Sequence, residues 1–220
     1  MNKNRTLFDA DFADDITLLS HWREKLQYNI NELLKLGERV GLTISTQKTN
    51  IMRNVNRLPP KPLTVKARKI EETDMFRYLG SLVSTDGSPE HEIVTCITYA
   101  GSAIDMLRNV WRSATFCLKL ILSLFNSNVL SVLTYGSKSW ALTKQLEERI
   151  QSFENNCLRR FLRIYWRDEI REKTKQPLVI DKLISSQCRY WGLMVRMGSN
   201  RRPHDVHNAS VMPVQKRKIN

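Results

Sequence analysis

The chain has 220 residues, with 41% hydrophobic and 26% charged side chains and a formal net charge of +13. That is enough chain for one or two domains with a sizeable core, and basic enough to point to an anionic partner. No run of 18 apolar residues occurs, and the basic start at Asn2-Lys3-Asn4-Arg5 leads into no secretory core, which excludes an obvious membrane span or signal peptide and predicts an intracellular protein of nucleus or cytoplasm.

Taken in chain order, two short apolar stretches at residues 7–12 and 16–19 flank Asp14-Asp15, which predicts a β-hairpin with both carboxylates at its bend. Adjacent carboxylates crowd negative charge, and a divalent cation with oxygen ligands relieves it; a solvated acidic turn is the plain alternative. Leu26, Ile30, Leu33, Leu34 and Val40 recur at helical spacing and predict an amphipathic helix over residues 21–39, closed by Gly37 and Gly41. Residues 42–44 read as a short strand, with Lys48 just beyond, and residues 57–61, with Pro59-Pro60 and the following Pro62, as a loop. Residues 63–65 and 75–82 read as strands, and Asp86-Gly87 as a turn.

From Pro89 the pattern is helical. Ser88 suits a helix cap, Pro89 the first helical position, and Glu90 and Glu92 the positive helix end. Ile93, Ile97, Ala100, Ile104, Leu107 and Trp111 form an apolar seam. Residues 118–133 predict a buried helix with an interruption at Asn126-Ser127-Asn128. Thr143 caps a third helix with Leu146, Ile150, Phe153, Cys157 and Phe161 on its buried face, and a fourth spans residues 178–197. The tail from Ser199 has no periodicity and reads as disordered.

Charge divides unevenly along this order. Residues 116–220 hold 19 Lys and Arg against 8 Asp and Glu, whereas residues 1–58 hold 9 against 7 and residues 59–115 hold 7 of each. The positive excess therefore lies in the helical half, beside which the acidic hairpin stands out. The cysteines Cys96, Cys117, Cys157 and Cys188 lack zinc-site spacing, and three of them read as reduced thiols on apolar helical faces. His204 and His207 are the one close histidine pair, in the polar tail.

The order of these signals carries a resemblance. A strand with Phe12-Ala13-Asp14-Asp15, a helix, Gly41-Leu42-Thr43-Ile44 with Lys48-Thr49, Tyr78-Leu79-Gly80 and then a helical region resembles the palm and thumb of reverse transcriptases from non-LTR, LINE-type retrotransposons, most closely the RTE-like elements. The likeness runs from residue 9 to about residue 197. It implies an α+β fold, with a partial palm over residues 1–87 (hairpin, helix and short antiparallel strands), an all-α thumb with a basic helical extension over residues 88–198, and a disordered tail over residues 199–220.

It also implies roles. Asp14 and Asp15 would hold Mg²⁺, Phe12 would face the primer end, and Lys48 would protonate departing pyrophosphate. Tyr78, Leu79 and Gly80 would grip the primer strand, although a core Tyr-Leu before a turn glycine explains the same residues. Arg149, Arg159, Arg160, Arg163, Arg189 and Arg196 become candidate phosphate contacts to an RNA template and DNA primer, or else a solubilising helix face.

The departures are as informative. The family's other essential aspartate comes from an earlier, adjacent strand. Asp9 and Asp11 cannot replace it, because they share a strand with Asp14. The family's endonuclease domain has no counterpart, and Ala10, Lys138 and Leu193 replace residues usual in such elements. The expectation is a palm that begins mid-domain, inactive in polymerisation unless the missing part of the same polyprotein completes it. A basic nucleic-acid-binding remnant and an unstable relic are the alternatives.

Overall fold

The computed structural model describes residues 9–53, 62–113, 115–162, 165 and 169–198. Arg163 and the tail from Ser199, with His204 and His207, lie outside them. The chain divides into two units, Met1–Ser88 and Pro89–Asn220.

The first unit begins with β1 (Asp9–Phe12) and β2 (Asp15–Leu18), paired antiparallel with Phe12 opposite Asp15 and Asp11 opposite Ile16. Helix α1 (Arg23–Arg39) follows. It buries Ile30 and packs Leu26 and Leu34 against Leu63, Val65 and Ile70, a small core that Leu18, Ile44 and Ile51 also touch. Val40, expected on this face, is 70% exposed, because the helix has ended and Val40 turns away on the Gly37 carbonyl.

Residues 42–44 form no strand. The Leu42 amide is spent on the Gly37 carbonyl, 2.9 Å away at the helix end, and only Ile44 reaches the core. Gln27 on α1 then acts like a strand edge: its amide donates to the Thr64 carbonyl and its oxygen accepts from the Thr64 amide, both at 2.9 Å. Helix and sheet are thereby locked at β4 (Thr64–Val65), which pairs with β5 (Arg68–Lys69).

The expectation of antiparallel strands alone is corrected at β3 (Asn50–Ile51), which runs parallel to β6 (Glu71–Glu72). The long connection between them is what a parallel pairing requires. Arg53 and Glu72 close that pair as an ion pair. The expected strand over residues 75–82 is instead a hairpin of β7 (Met75–Tyr78) and β8 (Ser81–Ser84). Leu79 at φ 49° and Gly80 at φ 84° make its two-residue turn, a backbone that matches the strand twist and that glycine takes without steric cost. Gly87 at φ 68° completes the next turn, with its amide on the Ser84 carbonyl at 3.1 Å.

The second unit is helical. Helix α2 (Glu90–Met106) has Pro89, rather than Ser88, in the cap position, and the Ser88 carbonyl is taken by the Ser84 hydroxyl. Its buried seam is Ile93, Cys96, Ala100 and Ile104, with Ile97 packed alongside. The helix stops at Leu107, and α3 (Arg108–Arg112) carries Trp111 into the core. Next, α4 (Leu118–Leu124) passes into a π-helical segment, Phe125–Leu130, and on into α5 (Ser131–Leu133).

The interruption expected at residues 126–128 is this widened turn. The Asn128 amide and the Ser127 hydroxyl donate to the Leu124 carbonyl at 3.0 and 3.3 Å, and the Ser131 hydroxyl donates to the Ser127 carbonyl at 2.5 Å. Side-chain bonds of this kind loosen the ordinary ladder. After Gly136, at φ 72°, a short 3-10 turn leads to α6 (Lys144–Leu162), whose third amide, Leu146, bonds the Thr143 hydroxyl at 3.4 Å. Helix α7 (Ile170–Thr174), which no periodicity announced, precedes α8 (Val179–Arg196).

The core joins these helices through Phe125, Leu133, Ile150, Leu158, Val179 and Leu183, all under 2% exposed. Gln187 on α8 donates to the Ser137 and Trp140 carbonyls at 2.8 and 3.0 Å. All four cysteines are free, but two rather than three are buried: Cys188 faces out, opposite Leu183 and Met194, and Cys117 caps α4. Burial pushes the Cys157 thiol up to about 12, which leaves it protonated and inert at neutral pH. Among the described residues no helix is long and apolar enough to cross a membrane.

Candidate functional site

The acidic hairpin belongs to the first unit. Ala13, at φ 51°, and Asp14 form the two-residue turn, and Asp15 is the first residue of β2. The two acids therefore divide between turn and strand instead of sharing the bend. Both are exposed, and Phe12, directly across from Asp15, is 62% exposed.

Strand alternation places Phe12 and Asp15 on one face, and Asp11, Ile16 and Leu18 on the other. Leu18 packs toward the small core. The Phe12–Asp15 face is thus the outer one, an aromatic ring beside a carboxylate in open water.

Mg²⁺ takes oxygen donors and is usually held through one or two carboxylates, with water and substrate phosphate filling the rest. Asp14 and Asp15 have the right chemistry for one hydrated ion. They are too few for a two-ion clamp. Among the described residues no group of three or more His, Cys, Asp or Glu side chains stands close enough to hold a metal.

The other expected palm residues lie elsewhere in this unit. Lys48 sits exposed in a turn whose amide bonds the Ser45 carbonyl at 3.3 Å, and no hydrogen bond or ion pair joins its side chain to the hairpin among the described residues. Tyr78 is half-buried at the end of β7, opposite Ser81. Leu79 and Gly80 are the turn itself, with Leu79 39% exposed, so the core reading of Tyr78-Leu79 fails for Leu79. Arg77 steadies this tip by donating to the Gly80 carbonyl at 2.9 Å.

The basic candidates belong to the second unit. Arg149 and Arg160 are exposed on α6, with Glu90 3.8 Å from the first and Asp105 3.9 Å from the second. At these exposures and distances such pairs hold the side chains only loosely. Arg159 is turned back to the Tyr165 carbonyl at 2.5 Å, which leaves it less able to reach a phosphate. Arg189 and Arg196 are exposed on α8, and Arg196 lies along Gly192, where a Cβ would meet its guanidinium at 3.2 Å.

Two constellations escape the sequence reading. The first is a cavity of about 200 Å³ lined by Ile104, Asp105, Arg108, Trp111, Arg112, Arg160 and Phe161. The spacing of Arg108 and Arg112, four apart on one short helix, was the available signal. Only the fold adds Arg160.

The second is the buried carboxylate of Glu154, 1% exposed. It accepts from Arg171 Nη2 at 2.5 Å, Gln151 Nε2 at 2.6 Å and the Val179 amide at 3.3 Å. Beside it Lys182 donates to Asn126 and Gln176 at 3.3 and 3.2 Å, and burial holds its ammonium below the usual lysine range. An acid between Ile150 and Cys157 on the apolar face of α6 was the visible sign. This cluster ties α6, α7 and α8 together and is a structural node.

A transposon-derived protein of Caenorhabditis elegans, itself uncharacterised, is 31% identical to this chain over 163 residues. The sequence is similar to a transposon-derived protein. That likeness fits a transposon origin. The matched region is 73% of this chain and 58% of the relative, so the chain spans little more than half of that protein's length. No family model matches the sequence, and no solved structure matches the chain.

Proposed function

We propose that this chain is the palm-and-thumb portion of a transposon-encoded reverse transcriptase, and that its helical unit holds an RNA–DNA duplex. The observation that carries the reading is the hairpin tip, where Asp14 and Asp15 stand in water beside the exposed ring of Phe12. Among the described residues no hydrogen bond or ion pair uses these three side chains, whereas a metal and a primer terminus would. Further support comes from the concentration of positive charge in residues 116–220, 19 basic against 8 acidic, and from the similarity to a transposon-derived protein.

In this reading Asp14 and Asp15 hold one Mg²⁺, and Phe12 borders the primer end. When bound, the ion would neutralise charge on the phosphate oxygens. A full two-ion site takes a further carboxylate from another segment. The arginines of α6 and α8 track the duplex backbone, a task that needs charge and not sequence recognition. A nucleic-acid-binding role without polymerisation is the second reading, favoured by the same charge.

Manganese is the direct probe of the hairpin. Mn²⁺ added to the full chain is expected to broaden the amide resonances of residues 12–16 first. The double variant Asp14→Asn, Asp15→Asn is expected to need at least about fivefold more ion for the same broadening. Broadening that begins elsewhere, or that the variant leaves unchanged, contradicts the metal assignment. A primer annealed to RNA is expected to stay unextended by this chain alone, and extension abolished by Asp14→Ala would show that two carboxylates suffice.

A further inference from the structure

The cavity between α2, α3 and α6 has a composition that the packing of the helical unit does not require. Its floor is apolar and fixed. Trp111 and Phe161 stack with centroids 5.0 Å apart and planes at 24°. The Trp111 indole N–H is already spent on the Ile104 carbonyl at 2.8 Å, so the ring offers shape alone.

Its wall is cationic: Arg108, Arg112 and Arg160 line one opening. A single carboxylate, Asp105, lies 3.3 Å from Arg108 and 3.9 Å from Arg160, which spaces those two guanidiniums without neutralising the set. Arg112 forms no ion pair with any described residue. Three arginines line this small cavity against one carboxylate, an excess of positive charge that a further anion would relieve. The fork geometry of arginine selects an oxyanion with several acceptors.

A space of about 200 Å³ is below the few hundred Å³ that drug-sized ligands occupy. It suits a phosphate with part of its sugar. We propose that this notch is a phosphate-binding site that takes a backbone phosphodiester of a nucleic-acid strand, with Arg112 as its principal ligand and Asp105 as the residue that positions Arg108 and Arg160. The assignment rests on the duplex-binding reading above and adds a defined anchor point to it. Charge spread over exposed helix faces gives loose, register-free contact, whereas a notch with three forks fixes one phosphate relative to α3 and α6.

The test is fluorescence anisotropy with the full chain, an RNA–DNA hybrid and, separately, AMP as a free nucleotide. Arg112→Gln is expected to weaken hybrid binding about three- to tenfold and to lower the slope of log affinity against log salt by about one. Lys119→Gln, the same charge change on an exposed position of α4, is expected to do less than half of that. Arg112→Lys, which keeps charge but loses the fork, is expected to restore the salt slope and only part of the affinity.

AMP binding by the wild type that is lost in Arg112→Gln, with the hybrid unaffected, would keep the phosphate site but make free nucleotide its source. Hybrid and AMP binding equal in Arg112→Gln and Lys119→Gln overturns the site while leaving the duplex reading intact. Failure of the wild type to bind the hybrid at all overturns the duplex reading itself.

Discussion

Replacing Arg171 by methionine is expected to destabilise the helical unit by about 3–5 kcal/mol, the cost of leaving a buried carboxylate without its counter-ion. Glu154 is 1% exposed, and Arg171 is its ion-pair partner among the described residues, at 2.5 Å. The same guanidinium also donates to Asn155 at 2.9 Å and to the Pro177 carbonyl at 3.2 Å, so its removal uncouples α7 from α6 as well.

The double variant Glu154→Leu, Arg171→Met is expected to recover most of the loss, because neither charge is then stranded. Denaturant unfolding at neutral pH measures both. A single-variant loss below about 1 kcal/mol would mean that water reaches Glu154 and that the pair behaves like a surface ion pair.

The second large effect is at the π-helical turn. Phe125→Ala is expected to cost about 3–5 kcal/mol by emptying a site that is 1% exposed in the folded unit. The Phe125 ring lies 5.2 Å from that of Phe161, tilted by 55°, and Phe161 in turn stacks on Trp111. Loss of the first ring therefore loosens the floor of the arginine notch. Leu118→Ala, on the same run of chain but 42% exposed, is expected to change stability by only about 0.5 kcal/mol. Equal losses in the two variants would show that the π segment is not packed as described.

How far the sequence foretold this follows from what each signal encodes. Periodicity marks long amphipathic helices: α1 and α8 lie within two residues of their expected bounds, and α6 starts directly after its expected cap, Thr143. The same logic fails where one end of an element is decided by a distant group. Residues 42–44 have strand composition, but the Leu42 amide is taken by the end of α1. Leu79-Gly80 lacks the usual Asn-Gly signature, so two strands and a turn looked like one strand.

The five-residue α7 is too short for periodicity to show. At the candidate site the acids were legible because they are neighbours in the chain. The notch was not, because Arg160 reaches Arg108 and Arg112 only through the packing of α6 against α3.

The proposed function requires the helical unit to hold a nucleic-acid backbone through its arginines. The most direct measurement is the affinity of the full chain for an RNA–DNA hybrid across a salt series. The expected result is log affinity falling linearly with log salt, with a slope of about −3 to −6, as several released counter-ions require. An affinity that stays level from low to moderate salt, or no binding at low salt, would contradict it.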